Sequence, residues 1–341
     1  MTAPRKIRWL IAHFPFHLFQ RTAEAFNQEL EKALPGKFEL EVHTFKSYVE
    51  KYGKFDEFLY TKKEIPGLET VPGYTEKNSV NGKELTKKWN KLFEGLANGD
   101  IEMTQTQVHI VGTNLDKNFE ALDLPFLFEN HNHVSKVLDG KIGDNLSENL
   151  SAKTDIRSLA FTYSGGNRII GSNTDITNLT ELIDTNFFAG SFVGQQMFKD
   201  LGIKSVKYAI GNEGSGDSVN NTMALETTYI RFTGKNVLKT NHSVFMTTIL
   251  TGNKFFNSLS TEEQAIFKRI AKTVAKLERQ WSIEDAEQYE RNAIANGVKI
   301  VELSNEEQSK LRKVAKNSYR YIKNLNVDPT LVKNIIAEGK K

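Results

Sequence analysis

The sequence predicts a two-lobed α/β fold, with two mainly parallel sheets on either side of a cleft and one long helix serving both lobes. Three observations predict it. The first hundred residues alternate strand, helix, strand, helix, strand, an order that favours parallel pairing with helices on the sheet faces. At 341 residues the chain exceeds the size at which one core keeps growing, so it divides. A helical pattern opened by Ser260-Thr-Glu-Glu263, a capping box, runs to Gly297, about 37 residues or roughly 55 Å. That is longer than a lobe of about 170 residues is wide, so the helix must span both lobes.

Each element follows in order. Ile7 to Ala12 is a strand, and Phe19, Ala23, Phe26, Leu30 and Ala33 then recur at helical spacing until Pro35-Gly36. Phe38 to Val42 is the second strand. Lys46 to Asn81 is long, polar and rich in Tyr, Lys and Gly, an insertion beyond the basic plan. Leu85, Trp89, Leu92, Phe93 and Leu96 mark a helix into the turn at Gly99, which delivers a strand from Ile101 to Gln105. A single amphipathic helix carries Val134, Val137, Leu138, Ile142, Leu146 and Leu150. Strands near Ser158–Tyr163, Arg168–Ile170, Thr185–Phe188 and Lys204–Tyr208 build the second sheet. On the long helix the apolar stripe reads Ile266, Ile270, Val274, Leu277, Trp281 and Tyr289. The division expected is lobe I at 1–164 and 247–280, with the insertion at about 46–81, and lobe II at 165–246 and 281–341.

Composition narrows the function classes. The formal charge of +3 is spread over mixed Lys/Glu helices, which argues against nucleic acid as a partner, since that needs clustered basic residues. Cysteine is absent, so disulfides and thiolate metal sites are excluded. No apolar run approaches the roughly 18 residues of a membrane span, and the N-terminus reads as a strand rather than a signal peptide. Export would therefore imply that the signal peptide is missing from this sequence. The chain contains no G-x-S-x-G elbow, P-loop or H-E-x-x-H. A carboxylate pair for glycoside hydrolysis has no sequence signature and stays open as an alternative. His131-x-His133 reads as a loop and helix cap rather than a metal pair, and no cofactor or metal is expected.

Binding residues are sought where polar side chains follow apolar strands, because open α/β sheets take ligands at the carboxyl ends of their strands. That places His13, Phe14 and Phe16 after the first strand, and Gln107 and His109 after the third, each with a packing role as the alternative. The wording there resembles the solute-binding proteins of TRAP (tripartite ATP-independent periplasmic) transporters. Gly99, Ile101, Glu102 and Met103 match the family's "G-x-I-D-M", and Asp123 to Phe128 match its "D-L-P-F-L-F". In the second half, Tyr163-Ser-Gly-Gly-Asn-Arg168 is similar to the "G-x-R" strand whose arginine faces the ligand. Gly214-Ser-Gly-Asp217-Ser-Val-Asn220-Asn221 is similar to "G-x-V-D-G-x-E-N", and Lys239-Thr-Asn-His242 to "T-N-H". The resemblance implies a periplasmic, monomeric receptor that closes on a small organic, acidic solute and hands it to TRAP membrane subunits. It also implies ligand contacts at Arg168, Asn221 and His242. Asp217 reads instead as a turn-capping residue.

One departure bears on specificity. Where the family carries "K-G-L-K-I-R" with a carboxylate-clamping arginine, this chain reads Ile183-Asp-Thr-Asn-Phe-Phe188, and no arginine occurs between Arg168 and Arg231. A guanidinium fork matches a carboxylate in shape and charge, and a benzene ring does not. The sequence therefore leaves open Arg168 acting alone, Arg231 compensating, or a solute that is neutral, aromatic or cationic at that point.

Overall fold

The computed structural model describes residues 3–12, 16–55, 82–208, 223–227 and 236–340. Apolar strands alternating with one-sided helices build a first unit from Met1–Phe119, Ser135–Ser164 and Met246–Trp281. Strand β1 (Arg5–Ile11) leads to helix α1 (Phe16–Ala33), which buries Leu18, Phe19, Ala23, Phe26 and Leu30 on one face. Strand β2 (Phe38–His43) returns beside β1 in parallel register. Helix α2 (Phe45–Tyr52) is fixed by a capping box in which Thr44 and Ser47 exchange hydrogen bonds. This helix occupies the start of the expected insertion, whose residues 56–81 lie outside the described ones. Helix α3 (Gly82–Asn98) brings the chain to β3 (Met103–Gln107), parallel to β1 and placed slightly later than the sequence pattern suggests. Helix α4 (Val108–Asn114) follows directly.

The amphipathic stretch after residue 130 forms two helices rather than one, α5 (His131–Leu138) and α6 (Lys141–Lys153). The break lies at Gly140, where a Cβ would stand 2.5 Å from the Lys136 carbonyl. Such an approach permits only glycine, so the apolar spacing continues across a turn it cannot reveal.

Strand β4 (Ile156–Asn167) and strand β10 (Val244–Gly252) complete the first sheet in the order β2-β1-β3-β10-β4. The pattern had assigned β4 to the second sheet. β2, β1 and β3 are parallel to one another while β10 runs antiparallel to β3, so the sheet is mixed. Trp9 and Phe26 pack edge to face at 5.5 Å, and Phe26 and Phe38 both meet Phe267, at 5.6 and 5.3 Å.

The second unit comprises Glu120–Val134, Gly165–Phe245 and Ser282–Lys341. Its sheet uses β5 (Ile169–Ser172), β6 (Asn186–Ala189), β7 (Ser205–Tyr208), β8 (Met223–Thr227), β9 (Asn236–Lys239) and β11 (Lys299–Glu302), ordered β11-β9-β5-β8-β6-β7. Here β5 is antiparallel to both neighbours while the outer pairs are parallel, so this sheet is mixed too. Helix α7 (Phe192–Asp200), capped by Ser191, packs Phe198 on Phe187 at 4.2 Å. Helices α10 (Asn305–Ser318) and α11 (Pro329–Glu338) close the unit, α10 through a capping box of Ser304 and Glu307.

After the short α8 (Asn253–Phe256), helix α9 runs unbroken from Thr261 to Ala295, 35 residues, about 52 Å. The capping box is formed: Glu263 accepts from the Ser260 amide at 2.8 Å, and its own amide donates to Ser260 Oγ at 3.2 Å. Residues up to Trp281 group with the first unit and those from Ser282 with the second. The stripe differs in one place. Leu277 is 44% exposed, and the buried series runs Phe267, Ile270, Ala271, Val274, Ala275 and then Glu278 and Ser282.

Candidate functional site

The charged cluster that stands out in the second unit is built from four elements. Strand β4 ends in Gly165 and Gly166, both with positive φ (89° and 81°), which only glycine adopts without strain. Two residues on, the Arg168 amide donates to the Ser243 carbonyl at 2.7 Å, and the buried guanidinium lies 4.2 Å over the Phe245 ring. Its Nη2 is 3.2 Å from Asp123 and its Nη1 3.8 Å from Glu226. Glu226, on β8, in turn accepts from the Gly190 amide at 2.6 Å and meets His242 Nε2 at 2.7 Å. The other ring nitrogen of His242 faces Thr240 Oγ1 at 2.8 Å.

Electrostatics hold Glu226 ionised. Burial opposes the charged form of Glu226, yet the Arg168 charge, the His242 bond and the Gly190 N–H outweigh it and hold the carboxyl down to about 2. The carboxylate lies at the start of α7, where a helix N-terminus favours negative charge. A Cβ at Gly194 would stand 3.8 Å from it. The Arg168 guanidinium faces two carboxylates, Asp123 and Glu226. The arrangement can therefore orient and hydrogen-bond a solute, but its positive charge is already largely answered from within.

Backbone geometry beside the cluster is unusual. Phe126 and Asn241 adopt φ of 52° and 44°, and the Phe126 amide donates to the His242 carbonyl at 2.5 Å. Arg312 stacks over the Phe126 ring at 4.4 Å, and Tyr319 donates to the Pro125 carbonyl at 2.7 Å. Non-glycine residues in this region cost about 1–3 kcal/mol each and concentrate at functional sites. The Asp-Leu-Pro-Phe-Leu-Phe and Thr-Asn-His motifs thus fasten each other while flanking Arg168.

The sequence-predicted residues distribute as follows. Arg168 and His242 are brought together through Glu226. Phe188 is buried in β6, with Phe187 and Ala189 on either side of it belonging to the core and the Phe188 ring outside that cluster. In the first unit, Gln107 ends β3 at the N-cap of α4 and His109 is buried within that helix. Phe16 opens α1 and packs against the first core. His13, Phe14, Asn221, Asp217 and Arg231 lie outside the described residues. His133 uses both ring nitrogens structurally, accepting from the Glu129 amide at 3.2 Å and meeting the Ile335 carbonyl at 2.7 Å. Among the described residues no group of three His, Asp or Glu side chains is placed to hold a metal. Sequence reasoning missed Glu226, Asp123 and Gly190 as members of the cluster. Asp123 carried a signal, since it heads the matched Asp-Leu-Pro-Phe-Leu-Phe motif, whereas Glu226 carried none.

Comparison with known proteins agrees with this architecture. A crystal structure of a TRAP periplasmic solute-binding protein from Ochrobactrum anthropi superposes with a TM-score of 0.76 at 21% identity, covering 99% of this chain and 95% of that one. The sugar acid binding protein of Advenella mimigardefordensis, in complex with galactonate, gives 0.76 at 19% identity over 100% and 99%. The 2,3-diketo-L-gulonate-binding periplasmic protein of Escherichia coli is 30% identical over 95 residues, 27% of each chain. Two curated relatives are each aligned over well under half of their own length. The two-lobed architecture is therefore that of the TRAP periplasmic binding proteins. The family model for bacterial extracellular solute-binding proteins, family 7, matches residues 82–324, a span that takes in Asp123, Arg168, Glu226, His242 and all of α9. The chain belongs to that family, the DctP family.

Proposed function

We propose that this protein is the periplasmic receptor of a TRAP transporter, capturing one small organic acid without chemical turnover and delivering it to membrane subunits. The observation that carries this reading is the buried Arg168 cluster, set among strained family motifs. The solute docks against one unit, the two units close over it as lobes, and the closed form is what the membrane partner recognises. Closure is stabilised only by contacts that the open form lacks, so polar groups of the first unit, Gln107 and His109, complete the set with Arg168, Asn221 and His242. The protein acts as a monomer, and ion-gradient energy enters through the membrane partner.

Relatives named for sugar acids support an acidic solute. Phe188 qualifies this. In place of a second guanidinium it supplies an apolar wall, so the solute carries a hydrocarbon or aromatic portion there. A neutral or cationic solute is the second reading, favoured by the two carboxylates that already face Arg168. A carboxylate-based hydrolase is the third, and turnover of glycosides would decide for it. Denaturing the purified protein and identifying the released molecule by mass spectrometry separates these readings. Recovery of a monocarboxylate with an apolar portion is the expected result. Recovery of a cation or an uncharged solute would overturn the acidic assignment.

A further inference from the structure

Helix α9 carries a fully buried acid on its apolar stripe. Steps of four residues lead from Ile270 through Val274 to Glu278 and Ser282, and both polar residues are 0% exposed. Glu278 Oε2 accepts the Tyr163 amide of β4 at 2.8 Å. Its Oε1 lies 3.4 Å from Gln105 Nε2 of β3, which also donates to Thr162 Oγ1 at 2.8 Å. Thr162 in turn meets Thr247 of β10 at 2.6 Å. One carboxyl thereby gathers β3, β4 and β10 onto α9.

Its place in the chain is as telling as its bonds. The chain passes between the units five times, and three of these passages are Ser164–Gly165, Phe245–Met246 and Trp281–Ser282. Tyr163, Thr247 and Glu278 lie within four residues of these passages on the first unit's side. On the other side, Ser282 Oγ accepts the Gly165 amide at 2.7 Å. Beyond Gly165 and Gly166, whose left-handed backbone leaves β4 free to bend, comes Arg168.

We infer that Glu278 is a positioning residue, whose carboxyl fastens β4 just before its glycine pair and so fixes the backbone that presents Arg168. The inference rests on the binding function proposed above for Arg168. The stability that this carboxyl contributes varies with pH. Burial, only partly offset by the Tyr163 N–H, the Arg279 charge, the Gln105 amide and the Arg21 charge, pushes the Glu278 carboxyl up to about 8. The titratable groups facing it are Tyr163 of β4, Arg279 of its own helix, itself paired with Asp139 at 2.6 Å, and Arg21 of α1. Tyr163 is pushed upward by burial, so it stays neutral over the range in question. Because the folded value lies above the ordinary one, the stability that Glu278 contributes is greatest in mild acid and falls as pH rises through about 8, since burying the carboxylate costs more than the N–H bonds it accepts return.

Hydrogen exchange read by mass spectrometry, corrected for intrinsic rates, tests this on the full chain at about pH 6 and pH 9.5. In the native protein, protection over residues 156–167 should fall roughly tenfold or more between the two, while β1 holds its protection. Glu278→Gln mimics the protonated acid and should keep β4 protected at both values. Glu278→Leu removes the acceptor and should leave β4 weakly protected at both. The same alkaline loss in Glu278→Gln as in the native protein, or an equal loss in β1, would overturn the assignment. If β4 behaves as expected but galactonate, pantoate and succinate all leave thermal stability unchanged, the failure lies with the proposed solute class and not with the tie.

Discussion

Replacing Arg168 by methionine separates the charge of the buried cluster from its packing. Methionine keeps an apolar stem against Phe245 and deletes the guanidinium that faces Asp123 and Glu226. The side chains of those acids are 4% and 2% exposed, so water cannot replace the lost cation. Removing one partner of a buried pair costs about 3–5 kcal/mol. Glu226 retains His242 and the Gly190 N–H, which favours the low end, about 3 kcal/mol at pH 7. The pH dependence has a definite sign. In the native chain Glu226 titrates at about 2, below its ordinary 4.5, so its contribution is present above 4.5 and disappears as pH falls through 2. Without Arg168 its folded value rises, and the deficit of the variant should narrow as pH is lowered from 7 toward 4.5. Segment-resolved hydrogen exchange over β5 and β8 measures both effects for the second unit alone, which global unfolding of a two-unit chain does not. Adding Glu226→Gln should recover about 1 kcal/mol, since one stranded charge is then gone. A deficit below about 1 kcal/mol that stays constant down to pH 4.5 would refute the reasoning.

Three further outcomes are expected. Phe188→Arg should admit succinate, detected by calorimetry, while weakening the native solute roughly tenfold or more through loss of apolar contact; tight succinate binding by the unmodified protein would show Phe188 to be packing only. Gly166→Ala should destabilise by about 1 kcal/mol or more in urea denaturation, because φ is 81° and not because of crowding, the nearest atom being Ala286 Cβ at 3.6 Å. Ser260→Ala should cost about 1 kcal/mol by removing the cap of α9, and an unchanged urea midpoint would count against that cap.

Periodic and local signals were legible in the sequence. The stripe of α1, the capping box at Ser260 and the glycine pair before Arg168 each express a physical requirement within a few residues. Sheet membership was not, since β4 pairs with β10, which lies some eighty residues later, and alternation within a strand does not say which sheet it joins. The break at Gly140 was hidden because the apolar spacing continues through it. Arg168 and His242 could be found from motifs. Glu226 could not, as a lone acid in a short strand has no pattern, and its role appears only when β8 sets it beside Gly190 and Arg168. Glu278 did leave a trace: an acid at the fourth position after Val274 interrupts the series that ordinary packing would continue, and Leu277 drew the stripe off its true line.

The strand order of the first sheet also constrains how the molecule is made. β4 takes its place only against β10, so a chain emerging from the ribosome holds a strand destined for burial over nearly its whole length, residues 156–167, without its neighbour until residue 252 is synthesised. Over that interval β4 is an open edge of the kind that recruits other chains. Completion of both units also waits for α9, so folding is delayed until most of the polypeptide exists. On the periplasmic reading proposed above, this late closure would keep the nascent chain threadable during export. It also leaves a segment that a holding chaperone would have to cover.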